Sequence, residues 1–148
     1  MAELSSGNIP FHNKKHDLNL ALDICNGFRP EFGKGTPEIY KKLAYKCMNA
    51  DPNQRPKADE LNQILLLWYH SIYGEIFGYE GKIIKDIFQE ANKEIPSIST
   101  SFEKFSNTMH ASQVFTFGNL PKPATNSSAI NSYLEEDHVN EVLYIYYN

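Results

Sequence analysis

Cys47-Met48-Asn49-Ala50-Asp51-Pro52-Asn53-Gln54-Arg55-Pro56 separates two apolar patterns of helical period. Each proline drives the residue before it out of the helical region and brings no N–H of its own, so the stretch reads as a turn. On its N-terminal side, Ile39, Tyr40, Leu43, Ala44 and Cys47 share one helical face. That helix should open with Thr36 as N-cap and Pro37 at the first helical position, with Glu38 beside the positive end of the helix dipole. On its C-terminal side, Leu61, Ile64, Leu65, Trp68 and Ile72 predict a longer helix with the chain's one tryptophan as a packing anchor. Glu60 occupies the acidic position of a capping box, but Lys57 stands where Ser or Thr would cap, so only half of that box is predicted.

Upstream, Leu18, Ala21, Leu22 and Cys25 predict a short helix over 17–26, capped by Asp17 and stopped at Gly27. Leu20 and Ile24 add a second apolar stripe, so this helix is either covered on two sides or presents a docking patch. A loop, Phe28-Arg29-Pro30-Glu31-Phe32-Gly33-Lys34-Gly35, joins it to the next helix. Downstream of Gly74, Gly78 and Gly81, the residues Ile83, Ile84, Ile87, Phe88 and Ala91 give an amphipathic helix over 80–93. From Pro96 to Ser132 the composition changes, 20 of 37 residues being Ser, Thr, Asn, Pro or Gly, which predicts a largely irregular tail. Val114, Phe115, Phe117 and Leu120 are residues that could fold back onto the helices as a strap, and Val142–Tyr147, rich in strand formers, is either an added strand or an aggregation-prone end. The chain is thus read as mainly α, in three parts: 1–72 helical, 73–95 an amphipathic extension, 96–148 a tail.

Composition excludes several functions. The 148 residues carry 14 Lys and Arg against 18 Asp and Glu, for a formal charge of −4. Residues 1–72 hold 9 basic and 8 acidic side chains, and 73–148 hold 5 and 10, so neither half is basic enough to follow a phosphate backbone. No nucleic-acid partner is expected. The five histidines, at 12, 16, 70, 110 and 138, show no metal-ligand spacing. No apolar run reaches the roughly 18–20 residues a membrane span needs, and the start lacks a secretory pattern, so an intracellular, cytoplasmic chain without membrane contact is expected. Cys25 and Cys47 then read as free, packed thiols. Ser97, Ser99, Thr100 and Ser101 are phosphorylation candidates whose plainer reading is a solvated linker. Tyr144, Tyr146 and Tyr147 are open between phosphotyrosine sites and packing in a strand, and the Asn126-Ser127-Ser128 triplet matches a glycosylation acceptor that carries no weight without secretion.

Taken in order, Gly7-x-x-Pro10-Phe11, the helix ending Ile24-Cys25-Asn26-Gly27, Arg29-Pro30, and Cys47-x-x-x-Asp51-Pro52-x-x-Arg55-Pro56 before an apolar helix resemble the end of a protein kinase domain. They are most similar to the tyrosine-kinase-like group, with Met48 where that pattern has Trp. The tail segment Phe117-Gly118-Asn119-Leu120-Pro121-Lys122-Pro123 resembles that of an expanded fungal subset of these kinases. The resemblance covers about residues 1–72 and implies the end of helix F and helices G, H and I of the kinase C-lobe, placing Met1 inside helix F. Complete members use ATP and Mg to phosphorylate proteins. Their glycine-rich loop, strand Lys, catalytic Asp and metal-binding Asp lie upstream of this region, and no substitute motif is present here. The chain alone is therefore expected to be catalytically inactive, in the manner of a pseudokinase, with no cofactor of its own.

In the family the residue matching Arg55 pairs with a buried Glu of the activation segment. Here Arg55 must reach solvent, find Asp51 or Glu38, or receive a partner from another chain. Four short helices over about 70 residues also make independent folding marginal. Three functions follow as expectations: the C-terminal piece of a signalling kinase, a non-catalytic module that meets a protein partner or kinase substrate through Leu20, Ile24 and Arg29 on the helix G surface, or a remnant without function.

Overall fold

The computed structural model describes residues 1–74, 78–95, 116 and 118–124, and among them the protein is helical with no strand. Five α-helices run in order: α1 (Ala2–Ser6), α2 (Leu18–Cys25), α3 (Glu38–Cys47), α4 (Ala58–Tyr73) and α5 (Tyr79–Glu94). A single 3-10 turn (Pro52–Gln54) lies between α3 and α4. The readings of Val114, Phe115, Phe117, the Ser/Thr cluster after Pro96, the Asn126 triplet and the Val142–Tyr147 end fall outside the described residues.

The local signals that set the helix ends are mostly those in the sequence. Asp17 caps α2, its Oδ1 accepting the N–H groups of Asn19 at 3.0 Å and Leu20 at 3.3 Å. Gly27 follows in the left-handed region at φ 99°. At α4, Glu60 accepts the Lys57 N–H at 2.8 Å. An ammonium has no lone pair with which to return the bond, so the half box predicted is the half box found. Thr36 departs from expectation. Its hydroxyl turns back to the Gly33 carbonyl at 2.6 Å, Pro37 takes the cap position, and α3 begins one residue later at Glu38.

The core gathers Ile39 and Leu43 of α3, Ile64, Leu67 and Trp68 of α4, and Ile84 of α5, with Met1, Tyr40, Leu61, Ile87 and Phe88 packed around them. The α4 and α5 helices form the principal pair. Trp68 is its hinge point, 5.4 Å from Phe88 and 6.4 Å from Tyr40 between ring centroids. On α4 the buried face is turned from the one expected: Leu67 and Ser71 are inside, whereas Leu65 is 43% exposed. Both faces satisfy the helical period, and the position of α5 decides between them. Tyr45 and Lys42 of α3 are also buried, and Phe32 stacks edge-on to both Tyr40 and Tyr45.

The N-terminal turn is held to this core by two contacts. Tyr40 Oη donates to the Met1 carbonyl at 3.1 Å, and the Gly33 N–H donates to Ser5 Oγ at 3.3 Å. At Gly33 the backbones approach so closely that a Cβ would lie 2.0 Å from the Ser5 carbonyl oxygen. Only glycine fits there.

Candidate functional site

Arg29 and Arg55 of the motifs meet at the C-terminal end of α3, where Cys47 is the last helical residue. A helix end carries carbonyls without intrahelical donors and the negative end of the dipole, so cations collect there favourably. Arg29 arrives from the loop after α2, its Nε and one terminal nitrogen donating to the Met48 carbonyl at 3.2 and 3.1 Å. Its other terminal nitrogen donates to the carbonyls of Ile24 and Phe28, both at 2.9 Å. One planar guanidinium thus ties the end of α2, its loop and the end of α3 together, a task a lysine ammonium lacks the geometry to perform.

Arg55 comes to the adjacent carbonyl, its Nε donating to Asn49 at 2.7 Å. Burial lowers the Arg29 pKa, the neighbouring Arg55 charge lowers it further, and nearby Cys25 acts in the opposite direction. No carboxylate among the described residues pairs with either arginine. Of the three fates open to Arg55, the structure displays solvent exposure with one backbone bond. Asp51 is spent within its own turn, accepting the Asn53 N–H at 2.9 Å and the Asn53 side-chain amide at 3.1 Å. Asn49 Oδ1 in turn accepts the Asp51 N–H at 2.9 Å. Asp51 is a turn former here, and nothing in its setting suits a magnesium ligand. Pro52 opens the 3-10 turn, Pro56 leads into α4, and Pro30 is buried behind Arg29.

Pro10 and Phe11 complete the set from the N-terminal side, both half-buried. The Phe11 ring sits 5.3 Å from Phe28, whose other contact is the Lys14 ammonium 4.0 Å from the ring centroid. Lys14 is also paired with Asp23 of α2 at 3.2 Å. Cys47 lies half-buried at the same α3 end, burial raising its thiol pKa against a smaller opposite effect of the N-terminal ammonium.

The three residues assigned to a docking patch are placed differently from one another. Leu20 is 7% exposed and faces inward, Ile24 lies at the surface, and Arg29 has its guanidinium committed to four backbone bonds. The exposed apolar residues of this region are instead Leu18, Ile24 and Phe28. Among the described residues no three His, Cys, Asp or Glu come together in a group that could hold a metal ion. No described helix is long and apolar enough to cross a membrane.

Comparison with known proteins gives one partial likeness. The chain is 34% identical over 53 residues to a probable serine/threonine-protein kinase, pats1, of Dictyostelium discoideum. The match takes in 36% of this chain and 2% of that relative's length. No family model and no solved structure matches. The likeness to a kinase is therefore local, and it is of the same kind that the motifs suggest.

Proposed function

We propose that this chain is the C-terminal part of a protein kinase domain, contributing helices of the C-lobe and not the phosphoryl-transfer machinery. The observation that carries this reading is the convergence of Arg29 and Arg55 on the end of α3, from the two motifs whose spacing resembles the family. The partial identity to a serine/threonine kinase supports it. So does the free fork of Arg55, whose terminal nitrogens stand ready for a carboxylate from an upstream segment. Leu4 of α1, 85% exposed, is an apolar side chain that further kinase helices would cover. ATP and Mg belong to the complete domain, and no residue of this chain is assigned to either.

The test is the intact mass of the endogenous product captured through its C-terminal tail. A species much heavier than 16.9 kDa, with kinase motifs in the added peptides, supports the proposal. A native species of 16.9 kDa beginning at Met1 overturns it.

A second reading, a non-catalytic interaction module, is favoured by the exposed Leu18, Ile24 and Phe28 at α2. Its probe is Ile24→Asp, because Leu20→Asp would place a carboxylate in a buried position and disturb folding. Loss of a captured partner with the helical spectrum intact supports the module, and capture unchanged by Ile24→Asp removes it.

A further inference from the structure

The carbonyls of the last turn of α2 are all satisfied, and one of them from a distant place. Leu22 accepts the Asn26 N–H, Asp23 that of Phe28, and Ile24 that of Gly27 together with Arg29. Cys25 accepts the N–H of Ala124 at 2.7 Å, the shortest of these bonds. The donor closes the segment Leu120-Pro121-Lys122-Pro123-Ala124, which has no regular secondary structure and whose side chains, Leu120 included, are exposed, so the seat is made by the backbone bond.

The sequence of this segment suits such a seat. Proline fixes its own φ and carries no N–H, so between 121 and 124 only Lys122 and Ala124 can donate. The Lys122 N–H donates to none of the described residues, and the Ala124 N–H meets the Cys25 carbonyl. Two prolines in five residues also narrow the conformations of the undocked segment, so less entropy is lost on seating.

We propose that the C-terminal end of α2 is a docking site for an extended, proline-containing peptide that presents one backbone N–H, and that residues 118–124 fill it in cis as a strap. The strap closes the last open carbonyl of α2 and is independent of whether the whole chain belongs to a kinase.

Residue-resolved amide hydrogen exchange on the full 148-residue chain tests the first half. After correction for intrinsic rates, Ala124 should exchange about tenfold more slowly than Lys122, as expected for a bonded against an unbonded amide. Equal rates overturn the strap. Ala124→Pro removes the donor and keeps the extended backbone. In that variant the Asn119 and Leu120 resonances should move to those of the free 116–124 peptide while the α4 amides keep their positions, and unmoved resonances overturn the proposal. The second half is tested by adding the 116–124 peptide to the Ala124→Pro chain. Saturable shifts at Ile24–Gly27, given by this peptide and not by one carrying the same proline, are expected, and the absence of shifts overturns the site.

Discussion

Arg29 and Arg55 lie side by side on consecutive carbonyls, yet they contribute unequally. Arg29 donates to three carbonyls in a half-buried position, so Arg29→Met leaves those of Met48 and Phe28 without this donor, Ile24 keeping the Gly27 N–H, and should cost about 2 kcal/mol. Arg55 makes one bond at the surface, and Arg55→Met should cost about 0.5–1 kcal/mol in this chain. Urea denaturation of the two variants measures the difference, and equal losses would contradict the assigned roles. The same contrast explains why spacing alone located this cluster without revealing its hierarchy. The Arg-Pro and Asp-Pro-x-x-Arg-Pro motifs mark turns, but which guanidinium reaches more carbonyls depends on how the α2 loop folds back, a long-range matter. Gly33 was also hidden, because nothing in Phe32-Gly33-Lys34-Gly35 announces that Ser5 will lie against it.

Individual helices were largely legible, because their ends are written in short-range chemistry. Asp17 and Gly27 bracket α2, the Asp51 turn separates α3 from α4, and the α5 pattern falls within one residue of Tyr79–Glu94. Faces were read less well. The apolar period puts Leu65 inside and leaves Leu67 out, but both lie on apolar arcs and only the α5 partner selects Leu67. Leu20 reads as a surface candidate for the same reason, since two apolar stripes on one short helix say that one is surplus, not which one, and the fold buries it. The cap itself gives a clean prediction. Asp17→Ala removes acceptors for two N–H groups and should destabilise by about 1 kcal/mol, with Asp17→Asn or Asp17→Ser recovering most of it. Circular dichroism followed through a denaturant titration reads both.

Across the whole molecule, Tyr40 joins the first turn to the core, its hydroxyl donating to Met1 while its ring packs near Trp68. Burial raises its pKa above the usual phenol value. The folded state therefore keeps this proton longer than the unfolded chain does, and unfolding releases it at high pH. Its contribution is complete below a pH of about 10 and is lost as pH rises through the raised value. Thermal melts between pH 8 and 11 should show the midpoint falling at the alkaline end, and Tyr40→Phe should flatten part of that slope; an unchanged slope would show that this hydroxyl is not the group responsible.

The position of Trp68 has an optical consequence. It is the chain's sole indole, buried and flanked by rings from α3 and α5, with nine tyrosines in the same chain as excitation donors. Its emission colour therefore reports whether three helices are assembled at once, so the molecule carries its own unlabelled gauge of native packing.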